Sequence, residues 1–98
     1  MKMQSTLNIA PDHPSFSGHF PTFAVLPGAL LLDEMLTAIQ LARGIDLTSW
    51  HVSSMKFLDA VRPRDCLVLE HEAAAPGLIH FTIRADTRKV ASGTLHES

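Results

Sequence analysis

The apolar positions change their period once along this chain. From Ala29 to Arg43 the run ALLLDEMLTAIQLAR consists largely of strong helix formers, with Leu30, Leu31, Leu32, Met35, Leu36, Ile39 and Leu41 spread over several faces of a 3.6-residue period. Pro27 suits a first turn and Gly44 a C-terminal stop, so one helix is predicted over residues 27–43. A helix apolar almost all round should be enclosed by other structure rather than laid on a surface. Beyond it the period becomes two: Ile79, Phe81 and Ile83 alternate with His80, Thr82 and Arg84, the pattern of a strand with one face on a core. Strands are predicted over 51–61, 66–72, 78–85 and 89–95, separated by the turn signals Arg-Pro-Arg-Asp, Ala-Pro-Gly and Asp-Thr-Arg. A shorter strand is predicted over 6–10, before a loop rich in proline and polar residues. The short connections imply an antiparallel meander, so the fold class is α+β, a sheet curled around one long central helix.

Length and charge narrow the function. Ninety-eight residues suit a single domain over 1–98 with one modest core, and with 46% apolar and 18% charged residues part of the missing burial is expected from oligomerisation. A formal net charge of −2 and no long Lys/Arg run argue against nucleic acid as the main partner. Cys66 is the only cysteine, which rules out an internal disulfide. The opening MKMQSTLNIA has no continuous apolar stretch, and residues 24–32 are interrupted by Pro27 and Gly28; a cytoplasmic location without a membrane span is expected. His51, His71, His80 and His96 are scattered through predicted strands and the tail, and with one cysteine they make no metal-ligand spacing, so no metal is expected.

Some residues suggest chemistry by their setting. Asp33 lies in the second helical turn among leucines, where a carboxylate must be paired, protonated or turned toward a cavity. Glu34 is rotated about 100° from it around the helix, so the two cannot serve one point. Gly28 opens the helix, where its backbone N–H has no intrahelical acceptor and the dipole favours negative charge. A donor of that kind contributes roughly 3–4 kcal/mol to an oxyanion-like transition state. Ser15 and Ser17 lie close to His19, but neither sits in a Gly-x-Ser-x-Gly elbow, which weakens a serine-hydrolase reading.

The segment Asp12-His13-Pro14-Ser15-Phe16-Ser17-Gly18-His19-Phe20-Pro21, followed by Val25-Leu26-Pro27-Gly28 and Leu32-Asp33-Glu34-Met35, resembles the active-site segment of the bacterial 3-hydroxyacyl-acyl-carrier-protein dehydratases. Residues 55–65, MKFLDAVRPRD, are similar to the strand and turn that follow the helix in that family. The resemblance implies a hot-dog fold and reversible loss of water from a 3-hydroxyacyl thioester, in fatty-acid, polyene or related acyl-chain biosynthesis. It implies that His19 removes the C2 proton, that the Gly28 N–H stabilises charge on the thioester oxygen, and that Asp33 protonates the departing hydroxyl or positions the water. His13 is assigned to the loop rather than the site. No cofactor is implied. The partners implied are an acyl chain on acyl carrier protein or coenzyme A and a second copy of the chain, as a homodimer or higher homo-oligomer in which His19 of one protomer meets Asp33 of the other. Arg62, Arg64, Arg84, Arg88 and Lys89 are candidates to attract a phosphopantetheine phosphate. The chain departs from the family pattern at Thr22, where glycine is usual, at Ala24, where proline is common, and at Thr37, where glutamine is common. Two alternatives on the same fold are a non-catalytic acyl-thioester or carrier-protein-binding module and a thioesterase.

Overall fold

The computed structural model describes residues 2–7, 28–62 and 65–97. In chain order it holds β1 (Lys2–Leu7), α1 (Gly28–Arg43), β2 (Trp50–Phe57), β3 (Leu67–Ala75), β4 (Leu78–Ala85) and β5 (Arg88–Glu97). The helix ends where the sequence predicts. Gly44 takes φ 64° and donates its N–H to Gln40 O at 2.9 Å, a left-handed stop that glycine enters without steric cost.

β3, β4 and β5 form the predicted meander. Pro76-Gly77 and Asp86-Thr87 are its two hairpin turns, with Gly77 at φ 71° and Asp86 at φ 55°, values glycine adopts freely and aspartate tolerates. The two outer strands break the meander. The sheet order is β1-β3-β4-β5-β2, so β2 pairs with β5 rather than with its sequence neighbour β3, and β1 pairs with β3.

Residues 58–62 follow β2 and residues 65–66 lead into β3, at opposite sides of the crossing that this strand order requires. Arg88, at the start of β5, holds both ends of that crossing, with Nη1 2.6 Å from Asp59 Oδ2 and Nη2 2.9 Å from Asp65 Oδ2. Its guanidinium, together with the Ala60 N–H, holds the Asp59 carboxyl below the usual carboxylate range.

Strand ends shift for the same reason: partners, not local composition, decide them. The first strand starts at Lys2 instead of Thr6 and is described as far as Leu7, because its ladder runs from Lys2↔Glu72 to Leu7↔Leu67; residues 8–10 lie outside the described residues. β2 stops at Phe57 instead of 61, where the N–H groups of Leu58 and Asp59 both turn to Val90 O. β3 and β5 run past their predicted ends, to Ala75 and Glu97.

The core lies between α1 and one face of the sheet. Leu31, Met35 and Ile39 are at most 2% exposed and meet Leu67, Leu69, Ile83 and Leu95 in one cluster. Full burial of side chains of this size stabilises by roughly 1.5–3 kcal/mol each. The helix is not enclosed on all sides, contrary to the expectation from its composition: Asp33, Thr37 and Leu41 form an exposed stripe along its back. Over β5, Gly93 permits a close approach. A Cβ there would lie 2.2 Å from Ser54 O and 2.6 Å from Phe81 Cζ, beside the irregularity of β2 between Val52 and Ser54.

Candidate functional site

Asp33 reaches the surface because of the helical period. Two residues from Leu31 and from Met35 it is rotated about 200° from each, which directs it away from the sheet that buries them. Its carboxylate is exposed rather than enclosed among leucines. Glu34, about 100° round the helix, is half-buried. Of the two adjacent carboxylates, Asp33 is therefore the one on the open stripe.

Thr37 lies one turn further along that stripe and donates its hydroxyl to the Asp33 backbone carbonyl at 3.1 Å. It supports the helix backbone rather than the carboxylate. Gln40 is also committed elsewhere, since its side-chain oxygen accepts the Leu47 N–H at 2.9 Å and ties down the segment after the helix.

Gly28 is the first residue of α1, so its N–H belongs to the turn whose donors the helix cannot satisfy. It precedes Asp33 by about 7.5 Å along the axis. His19 lies outside the described residues, as do His13, Ser15, Ser17, Thr22, Ala24 and Arg64. Among the predicted site residues, the structure places Gly28 and Asp33.

Of the cations considered for phosphate recognition, two are engaged within the chain. Arg84 Nε donates to Glu70 Oε1 at 2.7 Å, and Arg88 holds Asp59 and Asp65. Arg62 and Lys89 are exposed. A depression of about 170 Å³ on the sheet's outer face is lined by Lys2, Glu70, Glu72, His80, Thr82 and Arg84 among others. Its charges are largely paired with one another, with Lys2 and Arg84 both on Glu70, and neither Asp33 nor Gly28 borders it.

Sequence reasoning passed over His71. It is 1% exposed, and its Nδ1 accepts a hydrogen bond from Arg43 Nε at 2.8 Å while its carbonyl accepts from Arg43 Nη2 at 3.2 Å. Arginine only donates, so Nδ1 carries the lone pair and the ring proton sits on Nε2, which is buried and has no hydrogen-bond partner among the described residues. Burial first, and then the Arg43 charge, push this imidazole's pKa below its ordinary value. The period-two run Leu67, Leu69, His71 was the available signal. It puts the histidine on the core face, where Arg43 in the last helical turn can reach it.

A family model described as ApeI-like, ApeI dehydratase, matches residues 1–94. The chain belongs to the ApeI-like dehydratase family. Among curated proteins, this ApeI-like chain is 35% identical over 68 residues to the 3-hydroxyacyl-[acyl-carrier-protein] dehydratase FabZ of Rickettsia typhi, covering 61% of this chain and 47% of that protein. It is 31% identical over 78 residues to FabZ of Ruminiclostridium cellulolyticum, covering 72% of this chain and 55% of that protein. It thus spans about half the length of the curated relatives it matches.

Solved structures support the hot-dog fold. The dehydratase heterocomplex ApeI:P from Xenorhabdus doucetiae superposes with a TM-score of 0.76 at 22% identity, over 97% of this chain and 85% of that one. The dehydratase domain of PpsC from Mycobacterium tuberculosis, in complex with C12:1-CoA, gives 0.75 at 19% identity, over 99% and 38%. The fluoroacetyl-CoA thioesterase FlK gives 0.65 at 12% identity, over 97% and 82%. The fold alone therefore spans dehydratases and a thioesterase.

Proposed function

We propose that this chain catalyses the reversible dehydration of a 3-hydroxyacyl thioester, carried on acyl carrier protein or coenzyme A, to the 2-enoyl thioester. The observation that carries this reading is Asp33, the helix carboxylate on the open stripe of α1, five residues after the helix N-terminus, in a chain whose family model is that of a dehydratase. His19 takes the proton from C2, and the Gly28 N–H receives the charge that develops on the thioester oxygen. Asp33 gives its proton to the departing 3-hydroxyl, so that C2=C3 forms as water leaves. No step uses a cofactor.

The working unit in this proposal is one hot-dog domain over residues 1–98 paired with a second copy, in the cytoplasm. Its supports are β2, which stands at the edge of the sheet, and the exposed apolar side chains Phe57, Leu58 and Leu41. In this proposal the second copy supplies the His19 that acts with Asp33. Arg62 and Lys89, exposed where Arg84 and Arg88 are paired, would meet the phosphate of the carrier arm. Mass spectrometry of 3-hydroxyacyl thioesters incubated with wild type, His19→Ala and Asp33→Asn tests the proposal. Loss of one water in wild type, and its absence in both variants, is the expected result. Water loss that persists in both variants overturns the site; free acid as product shows a thioesterase instead, and binding without turnover shows a non-catalytic module.

A further inference from the structure

His51 and His96, which sequence spacing left unrelated, become neighbours through strand register. They are direct cross-strand partners on β2 and β5, on the outer face of the sheet, since the adjacent Leu95 is buried in the core. Their ring centroids are 5.7 Å apart with 17° between the planes. His51 is exposed and His96 half-buried. From the register, His80 lies on the same face two positions along the β4–β5 ladder, opposite Thr94, and its Nδ1 is 3.2 Å from the Thr94 hydroxyl.

We infer that His51 and His96 together form a divalent-cation site that takes the imidazole-preferring ions Cu²⁺, Ni²⁺ and Zn²⁺. With metal–nitrogen bonds of about 2.0–2.1 Å, two imidazoles sharing one tetrahedral ion have centroids about 5 Å apart. The observed rings are stacked, so to bind one ion they must turn about their side-chain torsions until a nitrogen of each points at it, as well as close by less than about 1 Å; His51, exposed on β2, has room to turn. Among the described residues no group of three or more His, Cys, Asp or Glu converges, so water completes the coordination shell. The ion then bridges β2, an edge strand among the described residues, to β5, and its binding energy adds to the stability of that pairing.

The test is titration of the full chain, free of any affinity tag, with each metal chloride by calorimetry and thermal melting. One ion per chain is expected, with Cu²⁺ tightest and Mg²⁺ and Ca²⁺ inert. Melting should rise on the order of 10 °C when the ion is near a hundredfold above its Kd. His51→Ala and His96→Ala should each abolish both effects, whereas His80→Ala should keep them. His51→Gln, a polar replacement at an exposed position, should melt like the metal-free wild type in chelator and bind no ion. Binding that survives in the His51→Ala/His96→Ala double variant, or is absent from wild type, overturns the inference.

Discussion

The two faces of α1 are made from the same leucine-rich run and end in different environments. Toward the sheet, Leu31, Met35 and Ile39 are at most 2% exposed. On the back, Asp33, Thr37 and Leu41 are open, Leu41 to 80%. The difference teaches that an apolar composition all round a helix does not mean enclosure all round. One face holds the fold together, and the other leaves a carboxylate and a leucine exposed.

Substitutions on each face should separate these roles, with stability as the common scale. Met35→Ala should cost the most, roughly 2–5 kcal/mol, because it opens a cavity at a fully buried site; a loss below about 1 kcal/mol in denaturant unfolding would mean that the sheet-facing side is not close-packed. Gly93→Ala should cost about 1–3 kcal/mol, since the added methyl meets the Ser54 carbonyl, a backbone atom, and the Phe81 ring. A neutral result would place the irregularity of β2 elsewhere.

His71 should contribute a pH-dependent part. Its folded pKa is depressed, so below about 6.5 the unfolded chain takes up a proton that the folded one refuses, and stability should fall as pH drops through that value. The slope from this one group is at most about 1.4 kcal/mol per pH unit. Unfolding midpoints between pH 7.5 and 5.5 should flatten in His71→Leu; an unchanged pH profile would show that the imidazole is not held neutral.

Asp33→Asn should have the smallest effect on stability, within about 0.5 kcal/mol for an exposed position, while dehydration falls by about a hundredfold or more. Should it melt as early as Met35→Ala, the distinction between the two faces would disappear.

Much of the fold was legible because it rests on local rules. The helix end at Gly44, the strand over Leu78–Ala85 and the turn at Pro76-Gly77 follow from period and turn chemistry. The site was legible in part. Asp33 is legible in the sequence as a carboxylate among leucines; that it stands exposed on a stripe of the helix is not. His71 and Arg43, 28 positions apart, are unrelated in the sequence and are joined by hydrogen bonds in the fold.

The sequence by itself determined which segments are helix and strand and that the chain carries a dehydratase-like motif, because propensity, period and residue order are properties of neighbours along the chain. The tertiary structure decided that β2 pairs with β5 and not β3, which face of α1 is open, and that Arg88 joins Asp59 to Asp65. These depend on contacts between residues far apart in the chain. Such contacts form where burial and hydrogen bonding across the whole sheet outweigh the entropy of closing the loops between them.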